Sequence, residues 1–585
     1  MDSGPLSGPP APGSHRCSLK RIRGLVPVGF KAEIKALSKL AGPVIIAQLM
    51  VFAVSFVSTV FCGHLGRTEL AAVSLAIAVS PGRGTFLQRK SKSDPNSSTF
   101  VLHPQVINVT GISIGSGLAS ACDTLISQTF GGNNLMRVGV ILQRAILILL
   151  LACFPCWAIL VNTEPILLAV RQEPEVARLA QMYVNIFMPA LPATFMYSLE
   201  TRYLQNQGII WPQVITGVVV NLLNALINYI FLYVLHLGVA GSAVANSVSQ
   251  FAMVVVLYSY IMWKGLHKAT WGGWSKECLQ DWGSYIHLAV PSMLMMCVEW
   301  WTYEIGGFLA GLISEVELGT QSVVYGLANV AYMFPMGFSI AGNVRVGNAL
   351  GAGDTEQAKL SAKLTMFCAM SASICLSILV GSLKDHISYV FTYDKKIQER
   401  VADVMVLYAP FVILDAISAA AGGIIRGAGK QRIGAIVNIL GYYGVAFPVG
   451  VPLMFAAKMG ITGLWTGMFA CGFLQSTFVI LYLVRMNWMK AAIEAQIRAG
   501  VCESLSGTSP QPDVPGIPPE KTWNPVKQKD HVGLIDTAGK AAETVEQKEF
   551  SHRALVLRRG LTLALMLAIL AAGIILNLLI INVFT

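Results

Sequence analysis

Two carboxylates stand where a membrane-buried chain seldom carries charge. Glu299 and Glu304 lie in Met293–Gly307, inside a long apolar run, with Trp300, Trp301 and Tyr303 in the same turns. A charged side chain in mid-bilayer costs about 3 kcal/mol on insertion scales, so it implies a partner or a task. Aromatic faces attract positive charge, so carboxylates among them can hold a proton or an organic cation. Five residues separate the two acids, roughly 140° around a helix, so they do not share one stripe. Tyr303 follows Glu299 by four and can pair with it; Trp300 precedes Glu304 by four. Asp415 stands alone in another apolar run. A glutamate that holds a proton in one state and a cation in another performs exchange. The competing reading is a structural hydrogen bond to a neighbouring helix.

The elements that position these acids follow from composition. Of 585 residues, 54% are hydrophobic and 12% charged, with mean hydropathy +0.60. A soluble chain would carry about 25% charged residues. This is an all-α polytopic membrane protein. The net charge of +11 comes from basic residues in short loops, which is the cytosolic bias of membrane proteins and not a nucleic-acid footprint. The eleven cysteines show no metal or disulfide pattern, and Cys153-x-x-Cys156 reads as packing. No cofactor and no metal is implied. No Walker loop is present, which argues against ATP-driven export. No clustered nucleophile or diphosphate-binding motif supports a membrane enzyme.

Spanning stretches fall at 43–62, 138–161, 177–200, 212–235, 239–263, 284–311, 318–343, 359–382, 401–425, 433–456, 462–484 and 560–582, each near the ~20 residues a bilayer needs. A second span is expected from 70–79 joined to 107–124, which makes thirteen. The chain repeats itself. Pro189 matches Pro410 at an offset of 221, Gly131-Gly132 matches Gly351-Ala352 at 220, and Gly238 matches Gly460 at 222. Two pseudo-symmetric six-helix bundles are therefore expected, with the site at the repeat interface, plus a thirteenth C-terminal span. Before residue 80 the offset is 248 (Pro43 with Pro291), so the first half carries about 27 extra residues, at 80–106. The second span is expected to be interrupted by this insert, read as a splice or gene-model inclusion that impairs this form. The competing reading is a loop bulging into the cavity.

The expected organisation is a cytosolic segment at 1–40, without a cleavable signal, then a first lobe at 41–263. A cytosolic linker at 264–283 carries Trp271, Trp274 and Trp282 as interfacial anchors, and a second lobe follows at 284–485. A disordered cytosolic linker is expected at 486–559 and a last span, standing apart, at 560–582. Basic residues in alternate loops put the N-terminus in the cytosol and the C-terminus outside. The 384–400 loop, basic but counted outside, is the exception. Arg345 and Arg426 read as loop residues, and the Gly-Ala-Gly runs at 351–353 and 427–429 as helix-end turns.

Several motifs resemble one family. They are Cys62-Gly63-His64, Cys122-Asp123-Thr-Leu-Ile-Ser-Gln128, Glu299-Trp-Trp-Thr-Tyr-Glu304, Arg345-Val-Gly347-Asn348-Ala-Leu-Gly351-Ala-Gly353 and Gly423-Ile-Ile-Arg426-Gly427-Ala-Gly429-Lys430-Gln431. They are similar to the animal multidrug and toxin extrusion (MATE) transporters over about 17–79 and 107–490, and the thirteenth span fits the mammalian branch. The resemblance implies a plasma-membrane antiporter, acting as a monomer, that exchanges protons for organic cations by rocking two bundles. It implies coupling acids at Glu299, Glu304 and Asp415, cavity residues at Gln48, Asn108, Trp300, Tyr303 and Tyr325, and activity-linked cysteines at Cys62 and Cys153. The chain departs from the family pattern at Gly326, usually glutamate, at Asp415, usually the longer glutamate, and at Val412, usually histidine. A transport-impaired or regulatory form of the family is one alternative. Another is a lipid-linked-oligosaccharide flippase, whose cavity should be more basic.

Overall fold

In a computed structural model of the chain, residues 30–62, 107–169, 174–390, 394–501 and 552–584 are described. Nearly all of them are helical. The first lobe holds α1 (Phe30–Cys62), α2 (Asn108–Gly131), α3 (Leu135–Leu160), α4 (Thr163–Ala169), α5 (Pro174–Phe187), α6 (Leu191–Asn206), α7 (Trp211–Val234) and α8 (Gly238–Trp263). The second holds α9 (Trp282–Gly311), α10 (Glu315–Gly351), α11 (Thr355–Ser382), α12 (Lys395–Gly427), α13 (Gln431–Phe455) and α14 (Ile461–Arg485). Then come α15 (Trp488–Ala499) and α16 (His552–Phe584). Among the described residues eleven helices are long and apolar enough to cross a membrane. Two expected crossings are not among them. One is α9, which carries Glu299 and Glu304. The other is the α5–α6 pair, broken at Met188–Ala190 by Pro189. Its repeat mate, Pro410, sits inside the unbroken α12.

The second piece of the second span runs further than the expected 107–124. Asn108–Gly131 is by itself 24 residues long and apolar enough to cross, about 36 Å at 1.5 Å per residue. Residues 63–106, which hold both the expected first piece of this span at 70–79 and the expected insert at 80–106, lie outside the described residues. The helix opens with a π turn at Asn108–Ile112 and turns again at Ser120.

The linkers need correcting too. Within the expected disordered 486–559, residues 488–499 are helix. Asn487 caps its start by accepting from the Lys490 amide at 3.0 Å, and Ala491, Ala492, Ala495 and Ala499 bury one face, a 3.6-residue stripe. Residues 502–551 lie outside the described residues. In 264–283, Trp271 and Trp274 meet edge to face at 5.7 Å, but Trp282 is buried, with the Arg559 guanidinium 4.0 Å over its ring. That contact also corrects the idea that the last span stands apart. The Gly573 backbone lies so close to Ala158 that a Cβ would sit 2.8 Å from the Ala158 Cβ, and Asn577 donates to the Val161 carbonyl at 3.1 Å.

The two lobes have separate apolar cores, and α9 enters both. Its inner end (Trp282, Tyr285, Leu288, Ala289) packs in the first, while Val298 and Ala310 pack in the second. The Tyr285 hydroxyl donates to the Leu118 carbonyl at 2.9 Å and Trp301 Nε1 to the Val109 carbonyl at 3.2 Å. The acid-bearing helix thus lies along α2 across the seam between lobes.

Candidate functional site

A cavity opens in the second lobe between α9, α10, α12, α13 and α14. Glu299, Asp415 and Arg426 line it, together with Tyr332, Asn438 and Tyr442. On α12 the spacing explains the shape. Asp415 and Arg426 are eleven residues apart, about 20° around the helix. Ser418, Ala419 and Gly422 fill the intervening turns of that stripe with small side chains, leaving open space beside them. On α13 a π turn at Tyr442–Ala446 interrupts the regular ladder where Tyr442 meets the cavity. Asn438 ties α13 to α9 by donating to the Met295 carbonyl at 3.1 Å. The open space, about 50 Å³, has room for a few waters and for no large solute in this conformer.

The Tyr332 hydroxyl donates to Glu299. Tyr303, the partner expected from spacing, instead stacks on Tyr325 at 5.4 Å and 29°. Behind that stack Trp465 is buried, its indole donating to Gln321 Oε1 at 2.9 Å, with Tyr408 and Phe411 edge-on at 5.4 and 5.7 Å. Charge from Glu299 reaches Asp415, and charge from Arg426 reaches Glu299. The guanidinium donates to Ser339 Oγ at 3.0 Å. Arg345 and Arg426 are helical, not loop, residues, and Arg426 faces the acids.

The cavity does not gather every expected residue. Glu304 lies beyond it, with its charge felt at Tyr325. Gln48, Asn108 and Trp300 are half-buried and do not line it. Cys153 is buried in the first lobe's core, its thiol 3.4 Å from the Leu149 carbonyl. Cys62 ends α1, and its side chain lies outside the described residues. Sequence reasoning missed Tyr332, Asn438, Tyr442 and Arg426. Only Arg426 had a legible signal, the eleven-residue spacing from Asp415.

Below the cavity the lobes are locked. Thr124 Oγ1 donates to the Arg426 carbonyl at 2.6 Å and Gln128 Nε2 to the Gly427 carbonyl at 2.8 Å. Backbones touch here: a Cβ on Gly351 would collide with the Gln128 carbonyl, and one on Gly131 with that of Asn348. Gly353 and Gly429 take φ of 81° and 71° to end α10 and α12. The helix α15 clamps both sides. Arg498 Nε donates to Gln128 Oε1 at 2.9 Å, Asn134 Nδ2 to the Ala499 carbonyl at 3.1 Å, and Lys430 pairs with Glu494 at 2.6 Å. Burial pulls the Arg498 guanidinium below its ordinary pKa. On α1, Glu33 is buried and accepts from Arg345, from Ser361 at 2.6 Å and from Gln357 at 2.7 Å. Asp123 pairs with Arg202.

The MatE family model matches residues 100–230 and 291–451. Multidrug and toxin extrusion protein 1 of Danio rerio is 58% identical, over 95% of this chain and 92% of its own length. The human protein of that name is 48% identical over 93% of each chain. The chain belongs to the MATE family. The solved eukaryotic MATE transporter AtDTX14 superposes with TM-score 0.73 at 28% identity, over 80% of this chain and 100% of that one. A multidrug-resistance MATE transporter in an outward-facing conformation gives 0.65 at 17% identity, over 79% and 97%, and shows the fold alone. The protein is therefore a multi-pass membrane transporter and not an enzyme.

Proposed function

We propose that this MATE transporter extrudes organic cations in exchange for protons, with Glu299 and Asp415 as the groups that trade one for the other. The observation that carries this reading is that both carboxylates, from separate helices, line one cavity. Carboxylates in such a place can be neutralised by a proton or by a cation, and competition between the two is exchange. Multidrug and toxin extrusion is what the relatives' names state. The locked inner ends fit a conformer closed to the cytosol. Rocking to the inward-open state must break the α2–α10–α12 seam and move α15. The plasma membrane, with a cytosolic N-terminus and an outside C-terminus, suits this role.

Glu299→Gln tests the reading. In proteoliposomes with an imposed pH gradient it should abolish proton-driven uptake of a pyridinium monocation, while the protein remains folded and inserted. Uptake equal to the parent's would defeat the assignment. The flippase alternative predicts a cavity basic on balance, whereas two carboxylates face one guanidinium here.

A further inference from the structure

We infer that Arg426 is the cavity's resident cation and holds its full charge at minus one, so that one positive charge per turn satisfies it. This rests on the exchange reading above and goes beyond it to stoichiometry and charge selectivity. A guanidinium stays protonated at every accessible pH. Arg426 lines the cavity with Glu299 and Asp415. Among the described residues, the other titratable groups close to these three are phenols: Tyr332 and Tyr325 from α10, Tyr442 from α13, Tyr303 from α9 and Tyr408 from α12. Asn438 and Gln475 complete the polar lining and are neutral. With both carboxylates deprotonated, two negative charges and one positive leave minus one.

A cavity that passes from one face of the membrane to the other does so most cheaply at zero net charge. One proton brings it there, and so does one monocation; a dication overshoots to plus one. The number of carboxylates therefore does not set the exchange ratio. The difference between carboxylates and Arg426 does. The placement of the side chain fits this role. Ser339 Oγ holds the guanidinium at 3.0 Å. The same residue's carbonyl accepts from Thr124 of the first lobe at 2.6 Å, so the resident charge sits on the turn of α12 that seals the inner end.

Removing Arg426 leaves minus two, which two protons or one dication neutralise. In proteoliposomes, uptake of a pyridinium monocation against proton concentration should follow a Hill slope near one in the parent and in Arg426→Lys. In Arg426→Gln the slope should rise to near two. Preference for a bipyridinium dication over the monocation should rise at least tenfold. A folded Arg426→Gln with slope one and unchanged preference overturns the inference. Should Arg426→Gln fail to fold, adding Asp415→Asn restores minus one. The inference then requires the double variant to fold and keep a slope of one, and failure of either overturns it. If Glu299→Gln still exchanges, the functional reading itself fails. If it does not, and Arg426→Gln changes nothing, only this inference falls.

Discussion

Asp415 on α12 has Thr194 as its counterpart 221 positions earlier, and Arg426 has Gln205; Glu299 has Val51, 248 positions earlier. Two lobes of one architecture thus differ at the three positions that carry charge in the second. In the first lobe the matching polar groups satisfy neighbours. Thr194 Oγ1 donates to Gln250 Oε1 at 3.3 Å, and Gln205 Nε2 donates to Gln213 Oε1 at 2.9 Å. In the second, the matching groups face open space. The two lobes share a scaffold and differ in the charge it carries at these positions. One exception stands in the first lobe. Glu200 on α6 is half-buried, with its Oε2 buried and unpartnered among the described residues, and its second-lobe counterpart is Ala421.

If the second lobe works by moving against the first, wedging the seam should hurt most. In Gly351→Val the new side chain meets the Gln128 carbonyl, and neither backbone can yield within its helix. Exchange should fall at least tenfold while the protein still elutes as a folded species. A cysteine placed at Ser127 should gain reactivity towards an impermeant thiol reagent from the cytosolic side. Normal exchange would mean the seam need not close.

A smaller effect is expected where the lobes are joined by charge. Glu33→Gln leaves Arg345 without its carboxylate, and hydrogen bonds to charged groups are worth about 1.5–3 kcal/mol. Since 1.4 kcal/mol is tenfold in population, about one to two decades of the cytosol-closed form should be lost. Arg345 is one-third exposed, so the lower end is expected. Cytosolic labelling at the Ser127 position reports it, and unchanged labelling would mean the pair is incidental.

The membrane class, the duplication and the acid-bearing helix were legible because each is written in local sequence: run length, offset and the rarity of charge in apolar stretches. Glu299 and Asp415 were found that way. What local pattern could not give was partnership between helices. Tyr303 follows Glu299 by four and was the obvious phenol, yet Tyr332 from α10 makes the bond and Tyr303 stacks on Tyr325. Arg426 was read through loop statistics, although its spacing from Asp415 already placed both on one face. The alanine stripe of α15 was hidden because a helix with alanine as its buried face looks nearly polar by composition, and its stability comes from the seam it covers.

The smallest change should come from the quiet lobe, and it bears on the comparison most directly. Thr194→Val removes one hydroxyl and keeps the shape. The single hydroxyl proton is shared between the Ala190 carbonyl at 3.1 Å and Gln250 Oε1 at 3.3 Å. Loss of such a bond costs about 0.5–1.5 kcal/mol of stability. No charge in the cavity changes, so the Hill slope for protons and the preference for a monocation should stay as in the parent, with uptake by the folded protein within about twofold. A shift in slope would show that position 194 takes part in proton exchange as its counterpart Asp415 is argued to. The lobes would then differ in degree, and Glu200, six residues further along the same helix, would become the next acid to neutralise.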